Sequence, residues 1–235
     1  MPDAGAEDRR RFWVNPEALG TPLLTSRQIP QHQALCKDPR GIILQSMTQL
    51  KIPARLTTLI FALSMSVTLS LHADQNDERL NGLFEQLSLV RNPVVLRATE
   101  SQIWAIWLEH ENADVQQLLT LGTEAMNRRQ FPEALLIFSQ IVENFPDFAE
   151  GWNKRATLYY LVGNTDASIE DIKKTLELEP RHFGALSGLG LVYLQQGKLA
   201  LAEEAFQQLI MVHPNSPSAQ ENLRLVKEQR AVNVI

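Results

Sequence analysis

Residues 183–216 read FGALSGLGLVYLQQGKLALAEEAFQQLIMVHPNS, and this stretch decides the fold. Two runs with apolar residues three and four positions apart flank Gly197, and Pro214 closes the second run. The pattern predicts two amphipathic helices joined by a tight turn. The same pattern recurs at intervals of 34 residues, with small residues at Gly122, Ala156 and Gly190 and prolines at Pro146, Pro180 and Pro214. One helical hairpin is therefore used three times.

The three units share small and apolar positions. Their first helices carry Leu118, Leu121, Gly122 and Ala125 in residues 115–148; Trp152, Ala156 and Tyr159 in 149–182; and Leu186, Leu189, Gly190 and Tyr193 in 183–216. Their second helices carry Ala134, Phe138 and Ile141; Ser168, Ile172 and Thr175; and Ala202, Phe206 and Leu209. These positions resemble the pattern of the tetratricopeptide repeat (TPR) family. The resemblance implies an all-α fold, a right-handed superhelical solenoid with three repeats over residues 115–216.

The segments on either side of the repeats are interpreted as caps. Residues 74–114 are expected to form a degenerate helical hairpin that caps the first repeat. Trp104 and Trp107 should lie in its core, because residues three apart share one helical face. Residues 217–235 are expected to form a capping helix over the last repeat. Arg129 stands where the other two units have a turn glycine, so we expect the first turn to be slightly strained or differently shaped.

Residues 47–73 have the pattern of a secretory signal. Lys51 and Arg55 precede residues 56–71, which contain no charge. As a helix this run would rise about 24 Å, short of the roughly 30 Å of a bilayer core. Cleavage is therefore expected after Ala73. The alternative is an uncleaved segment that anchors the protein in the inner membrane.

Residues 1–46 form a polar leader that contains the single cysteine of the chain, Cys36. An export signal normally occupies about the first 15 to 30 residues of a protein. We therefore expect translation to start at Met47, with the leader either a mis-assigned start or a disordered extension. In a bacterium with an outer membrane, the exported protein would lie in the periplasm.

Charge and motifs disfavour two functional classes. Residues 74–235 carry 14 basic and 22 acidic side chains, whereas nucleic-acid binding requires a basic footprint. The histidines form no ligand pair with each other or with cysteine at helical spacing; they are His32, His72, His110, His182 and His213. The last two fall at hairpin ends, where a solvated or capping role is expected. No nucleophile elbow or phosphate loop is present, so we expect no enzyme, no catalytic residue, no metal site and no cofactor.

Members of the TPR family usually bind partners on the concave side, which the first helices form. The resemblance therefore implies a groove lined by Leu119, Thr123, Met126, Asn127, Asn153, Lys154, Thr157, Tyr160, Ser187, Leu191 and Leu194. Asn153 can hydrogen-bond a peptide backbone in both directions, and Lys154 can meet a carboxylate. We expect an exported protein-protein interaction scaffold that binds a protein or peptide segment. The alternative is a membrane-tethered envelope assembly factor that uses the same repeats.

Overall fold

The helices pair as the 34-residue period predicts. The computed structural model describes residues 75–232, and the regular elements in this range are all α-helices. They are α1 (Arg79–Leu89), α2 (Pro93–Leu108), α3 (Ala113–Asn127), α4 (Phe131–Asn144), α5 (Ala149–Leu161), α6 (Thr165–Leu178), α7 (Phe183–Gln195), α8 (Leu199–Val212) and α9 (Pro217–Val232). Helices α3 to α8 form three hairpins, and each second helix contacts the first helix of the next hairpin. The expected all-α fold is confirmed.

The turns inside the three hairpins each contain a residue with left-handed backbone. Gly163 has a φ angle of 83° and Gly197 one of 70°. Arg129 takes the equivalent place in the first hairpin with a φ angle of 60°. A side chain disfavours this conformation by about 1–2 kcal/mol. The strain expected in the first turn is therefore present.

Small residues let the two helices of a hairpin approach closely. A Cβ atom at Gly190 would lie 2.5 Å from the Phe206 ring, which is fully buried. Gly122 has a buried ring equally close in the first hairpin. In the middle hairpin, Ser168 Oγ donates a 2.8 Å hydrogen bond to the carbonyl oxygen of Ala156. These positions stay small because a larger side chain would push the helices apart.

Arg155 occupies the position that Leu121 and Leu189 hold in the other two hairpins. Its Nε and Nη2 donate to the two carboxylate oxygens of Asp171 at 2.7 and 2.8 Å. The guanidinium also lies 5.0 Å from the ring centroid of Trp152. The middle hairpin therefore replaces an apolar contact between its helices with a bidentate, largely buried ion pair.

Helices α1 and α2, which we call the N-terminal hairpin, lie across the turns that join successive units. Gln75 Nε2 donates to a backbone carbonyl in the turn between α4 and α5. Trp107 stacks on His182 in the turn between α6 and α7, with ring centroids 4.1 Å apart. Asn215, between α8 and α9, donates to a backbone carbonyl of α1 at 2.9 Å. This placement differs from the cap expected over the first repeat.

The outer face of α3 carries polar and charged side chains beside Leu121, which is 45% exposed. Gln117, Glu124 and Arg128 are exposed there, and the last two form a 3.0 Å ion pair. Such a face is stable in water, as terminal repeats require. Trp104 and Trp107 are only 7% and 2% exposed, so their expected burial is confirmed, although their partners lie in the turns.

The opposite end of the stack is covered by α9, which contacts α8 and buries Ala219 and Val226. The predictions for residues 1–46 and 47–73 lie outside the described residues. Among residues 75–232, no helix has the length and apolar content needed to cross a membrane.

Candidate interaction surface

The first helices of the three hairpins form one layer, in which α5 contacts both α3 and α7. The residues expected to line a groove all lie on these helices, and the structure divides them by burial. The buried ones are Leu119, Met126, Asn153, Lys154, Thr157 and Leu191. The half-buried ones are Thr123, Tyr160, Ser187 and Leu194, and Asn127 is exposed.

The N-terminal hairpin covers the first turns of these helices. Helix α2 contacts α5, and Gln116 on α3 donates to the last carbonyl of α2 at 2.7 Å. On α7, a Cβ atom at Gly184 would lie 2.6 Å from the Trp104 ring. We call this region, with Gln116, Glu150 and Gly184, the covered half of the inner surface.

The covered half contains a buried polar network centred on Glu150, which is 1% exposed. Asn153 Nδ2 donates to its Oε2 at 3.0 Å, and His182 Nε2 lies 3.1 Å from the same oxygen. Lys154 Nζ lies 3.2 Å from Oε1. Asn153 and Lys154, which were expected to meet a peptide, are thus engaged within the protein.

Burial and charge act in opposite directions on Glu150. Burial alone would raise its pKa, but the ion pair with Lys154 and the contact with His182 lower the pKa below its ordinary value of 4.5. Glu150 is therefore a carboxylate at neutral pH. A buried carboxylate of this kind is stable only while its cationic and hydrogen-bonding partners remain in place.

His182 connects the network to the N-terminal hairpin. Its Nδ1 accepts a 3.1 Å hydrogen bond from the backbone N–H of Ala185, which caps the start of α7. With Nδ1 as an acceptor, the neutral ring carries its proton on Nε2 and donates to Glu150. The capping role expected for His182 is confirmed, but the side chain is fully buried under Trp107.

A second buried histidine, His213, contacts the middle of α2. His213, which ends α8, is 2% exposed, and its Nε2 lies 2.6 Å from Oε1 of Glu100 on α2. Asn215 lies two residues further on and contacts the end of α1. The turns before α7 and α9 thus each contact the N-terminal hairpin through a buried histidine, His182 against Trp107 and His213 against Glu100.

Within residues 75–232, the N-terminal hairpin lies over the first turns of the first helices, and we call their last turns the open half of the inner surface. It presents Thr123 and Asn127 from α3, Tyr160 from α5 and Leu194 from α7. Next to Leu194 a cavity of about 460 Å³ opens towards α9. Its lining residues are Leu194, Asn222, Leu225, Val226, Glu228, Gln229 and Val232.

Two parts of this surface were missed by sequence reasoning. Glu150 was not named, although its spacing of four residues from Lys154 is typical of a helical ion pair. The contribution of α9 was also missed, because its apolar residues were assigned to packing. In the structure Leu225 is 46% exposed and Val232 71% exposed.

A model of the tetratricopeptide repeat family matches residues 119–171 and 154–219. A TPR repeat-containing protein of Rhizobium etli is 33% identical over 156 residues, which are 66% of this chain and 76% of that protein. DnaJ homolog subfamily C member 3 of Bos taurus is 32% identical over 110 residues, 47% of this chain but only 22% of the relative. The crystal structure of the Sgt2 TPR domain from Aspergillus fumigatus has a TM-score of 0.49 at 23% identity, covering 51% of this chain and 81% of that domain. With a family model on its repeats and a relative matched over three quarters of its length, the chain belongs to the tetratricopeptide repeat family.

Proposed function

We propose that the protein is an exported protein-protein interaction scaffold that binds a partner segment on the open half of its inner surface. The observation that carries this proposal is the cavity between α7 and α9, which lies next to Leu194 in the last turn of α7. The surface offers amide, hydroxyl and apolar groups together. Such a mixture suits a peptide or helix whose backbone and apolar side chains both need contacts.

The chemistry of the open half also restricts the partner. Glu228 is the charged residue among those that line the cavity, and Lys154 is buried against Glu150. A partner that depends on a terminal carboxylate would find no accessible cation in this set. We therefore propose an internal segment with an apolar face as the ligand.

A double substitution in the open half, Thr123→Arg with Leu225→Arg, tests the proposal. Both residues are at least partly exposed, so the long charged side chains should block the surface and leave the fold intact. In affinity purification with the tagged protein, we expect recovery of the partner to fall by about tenfold or more.

Leu136→Arg provides the matched control, because Leu136 is 72% exposed and lies on α4, outside the inner layer. This variant should recover the partner as well as the wild-type protein does. If the double variant recovers the same partner in equal amount, the open half is not the interface.

Export is the second part of the proposal, and it is supported by the charge-free run that follows Lys51 and Arg55. N-terminal sequencing of the protein purified from its native host should begin at Asp74. A mature protein that retains residues 55–73 would instead favour the membrane-tethered assembly factor. Detection of the intact chain in the cytoplasm alone would exclude both forms of the proposal.

A further inference from the structure

We propose that the N-terminal hairpin is a displaceable cover, and that the covered half beneath it is a second interaction surface. Its ligand would be an amphipathic helix of a partner protein, with two aromatic residues three positions apart and a hydrogen-bond donor on the same face. This inference rests on the proposed function as a protein-interaction scaffold. It adds a second binding surface, which a partner reaches only after the hairpin has moved away.

The first argument is the polarity of the surface that the hairpin covers. Glu150, Asn153 and Lys154 are each 5% exposed or less, yet the buried side of α2 is apolar except for Thr99. Burial of an ion pair is costly, and apolar residues in the same places are often as stable or more stable. Charged and polar residues beneath an apolar cover therefore indicate a second use of the surface.

The second argument is that three buried polar atoms, on the hairpin and on the residues around its contact with the repeats, have no hydrogen-bond partner within residues 75–232. Trp107 Nε1 on the hairpin, and Asn153 Oδ1 and His213 Nδ1 on the repeats, are buried and lack a hydrogen-bond partner among the described residues. Each such atom loses its hydration without compensation. The docked arrangement is thus weaker than the apolar contacts alone would make it, and an occupant that donates to Asn153 Oδ1 would fit better.

The third argument concerns the way in which the hairpin is attached. Few polar contacts attach it to the repeats: Asn215 donates to α1, Arg181 Nη1 donates to Asn81 at 2.9 Å, and His213 Nε2 lies 2.6 Å from Glu100 Oε1. The only covalent connection that the structure describes is the short segment between α2 and α3. The hairpin shares one hydrophobic cluster with α5 to α9, but successive helices from α3 to α8 also contact each other directly, so opening of the hairpin as a unit leaves those contacts in place.

The two tryptophans of α2 show which side chains the covered half can bind. The Trp104 ring fills the space beside Gly184, and Trp107 stacks on His182 with an interplanar angle of 10°. An aromatic pair at this spacing is therefore the feature that a competing helix must share. A released hairpin would expose both tryptophans to water, so the covered state predominates until a partner binds.

Hydrogen exchange on the full chain tests the cover without any partner. We expect the amides of α1 and α2 to exchange about tenfold faster or more than those of α5 to α8, because the hairpin opens separately. The second measurement adds a synthetic peptide of residues 92–109, NPVVLRATESQIWAIWLE, to a full-length variant of the protein. This variant carries Glu100→Gln and Asn215→Ala, which weaken the contacts of the hairpin with His213 and with the turn before α9. The peptide should bind and slow exchange in the first turn of α5.

The control peptide carries Trp104→Ala and Trp107→Ala and should not bind. Equal protection of the hairpin and the repeats would overturn the proposal, and so would hairpin opening without binding of the native peptide. Neither measurement uses the open half. Failure here is therefore distinguishable from failure of the affinity purification with Thr123→Arg and Leu225→Arg.

Discussion

Replacing Glu150 by alanine is expected to lower the free energy of unfolding by about 3–5 kcal/mol, the usual effect of removing one partner from a buried ion pair. The substitution leaves the ammonium of Lys154 buried without a counter-charge. It also removes the acceptor for Asn153 and His182. Urea unfolding followed by tryptophan fluorescence measures the loss.

Glu170→Ala is the matched control, because Glu170 forms an ion pair with Lys173 in which both side chains are exposed. This change should leave the free energy of unfolding nearly unchanged, since exposed pairs contribute little. A similar effect of the two substitutions would show that the network around Glu150 is not buried in solution.

The same carboxylate predicts a dependence of stability on pH. The pKa of Glu150 is lower in the folded protein than its ordinary value of 4.5, so folding favours the ionised form. This contribution is complete above about pH 4.5 and is lost as the pH falls through the folded-state pKa. The difference in stability between the wild-type protein and Glu150→Ala should therefore narrow on acidification below that pH.

Phe206→Ala is expected to cost about 3–5 kcal/mol of folding free energy, because it removes a fully buried ring from the third hairpin. Thermal or urea unfolding checks this value. Met211→Ala on the same helix is the control, since Met211 is 76% exposed and a surface change of this kind stays within about 0.5 kcal/mol.

A substitution at Gly190 tests whether the effects of this position and of the Phe206 ring on stability depend on each other. A Cβ atom at this position would lie 2.5 Å from the Phe206 ring, so Gly190→Ala should destabilise the wild-type protein. In the Phe206→Ala background the space is vacant, and Gly190→Ala should cost little or stabilise the helix. Additive effects of the two substitutions would contradict the close approach.

The repeats could be predicted from the sequence because their contacts recur at a fixed offset. Gly122 packs on Phe138 as Gly190 packs on Phe206, and the chain separation is the same in both hairpins. Each contact is also local, since both partners lie within one 34-residue unit. A signal that is local and repeated three times is readable without any knowledge of the tertiary structure.

The placement of the N-terminal hairpin could not be predicted in this way. Trp107 packs on His182, far away in the chain, and this pairing occurs once. The burial of Trp104 and Trp107 followed from their helical spacing, but spacing does not identify the surface that buries them. The polar side chains on the outer face of α3, Glu124 and Arg128, were the available sign that the N-terminal hairpin does not pack there.

For the same reason the interaction surface was predicted only in part. The helical register identified the residues of the inner layer, but not the helix that lies over half of them. Asn153 and Lys154 therefore read as ligand-binding residues, whereas the structure pairs both with Glu150.

The N-terminal hairpin also acts mechanically. A row of helical hairpins behaves as a spring, because small rotations at each joint add up along its length. While docked, the N-terminal hairpin contacts the joint before α7 through Trp107 and the joint before α9 through the end of α1, and Gln75, just before α1, contacts the joint before α5. The docked segment therefore limits rotation at three successive joints. The curvature that a ligand meets on the open half is thus set before binding, and release of the hairpin would make the whole row of helical hairpins more flexible.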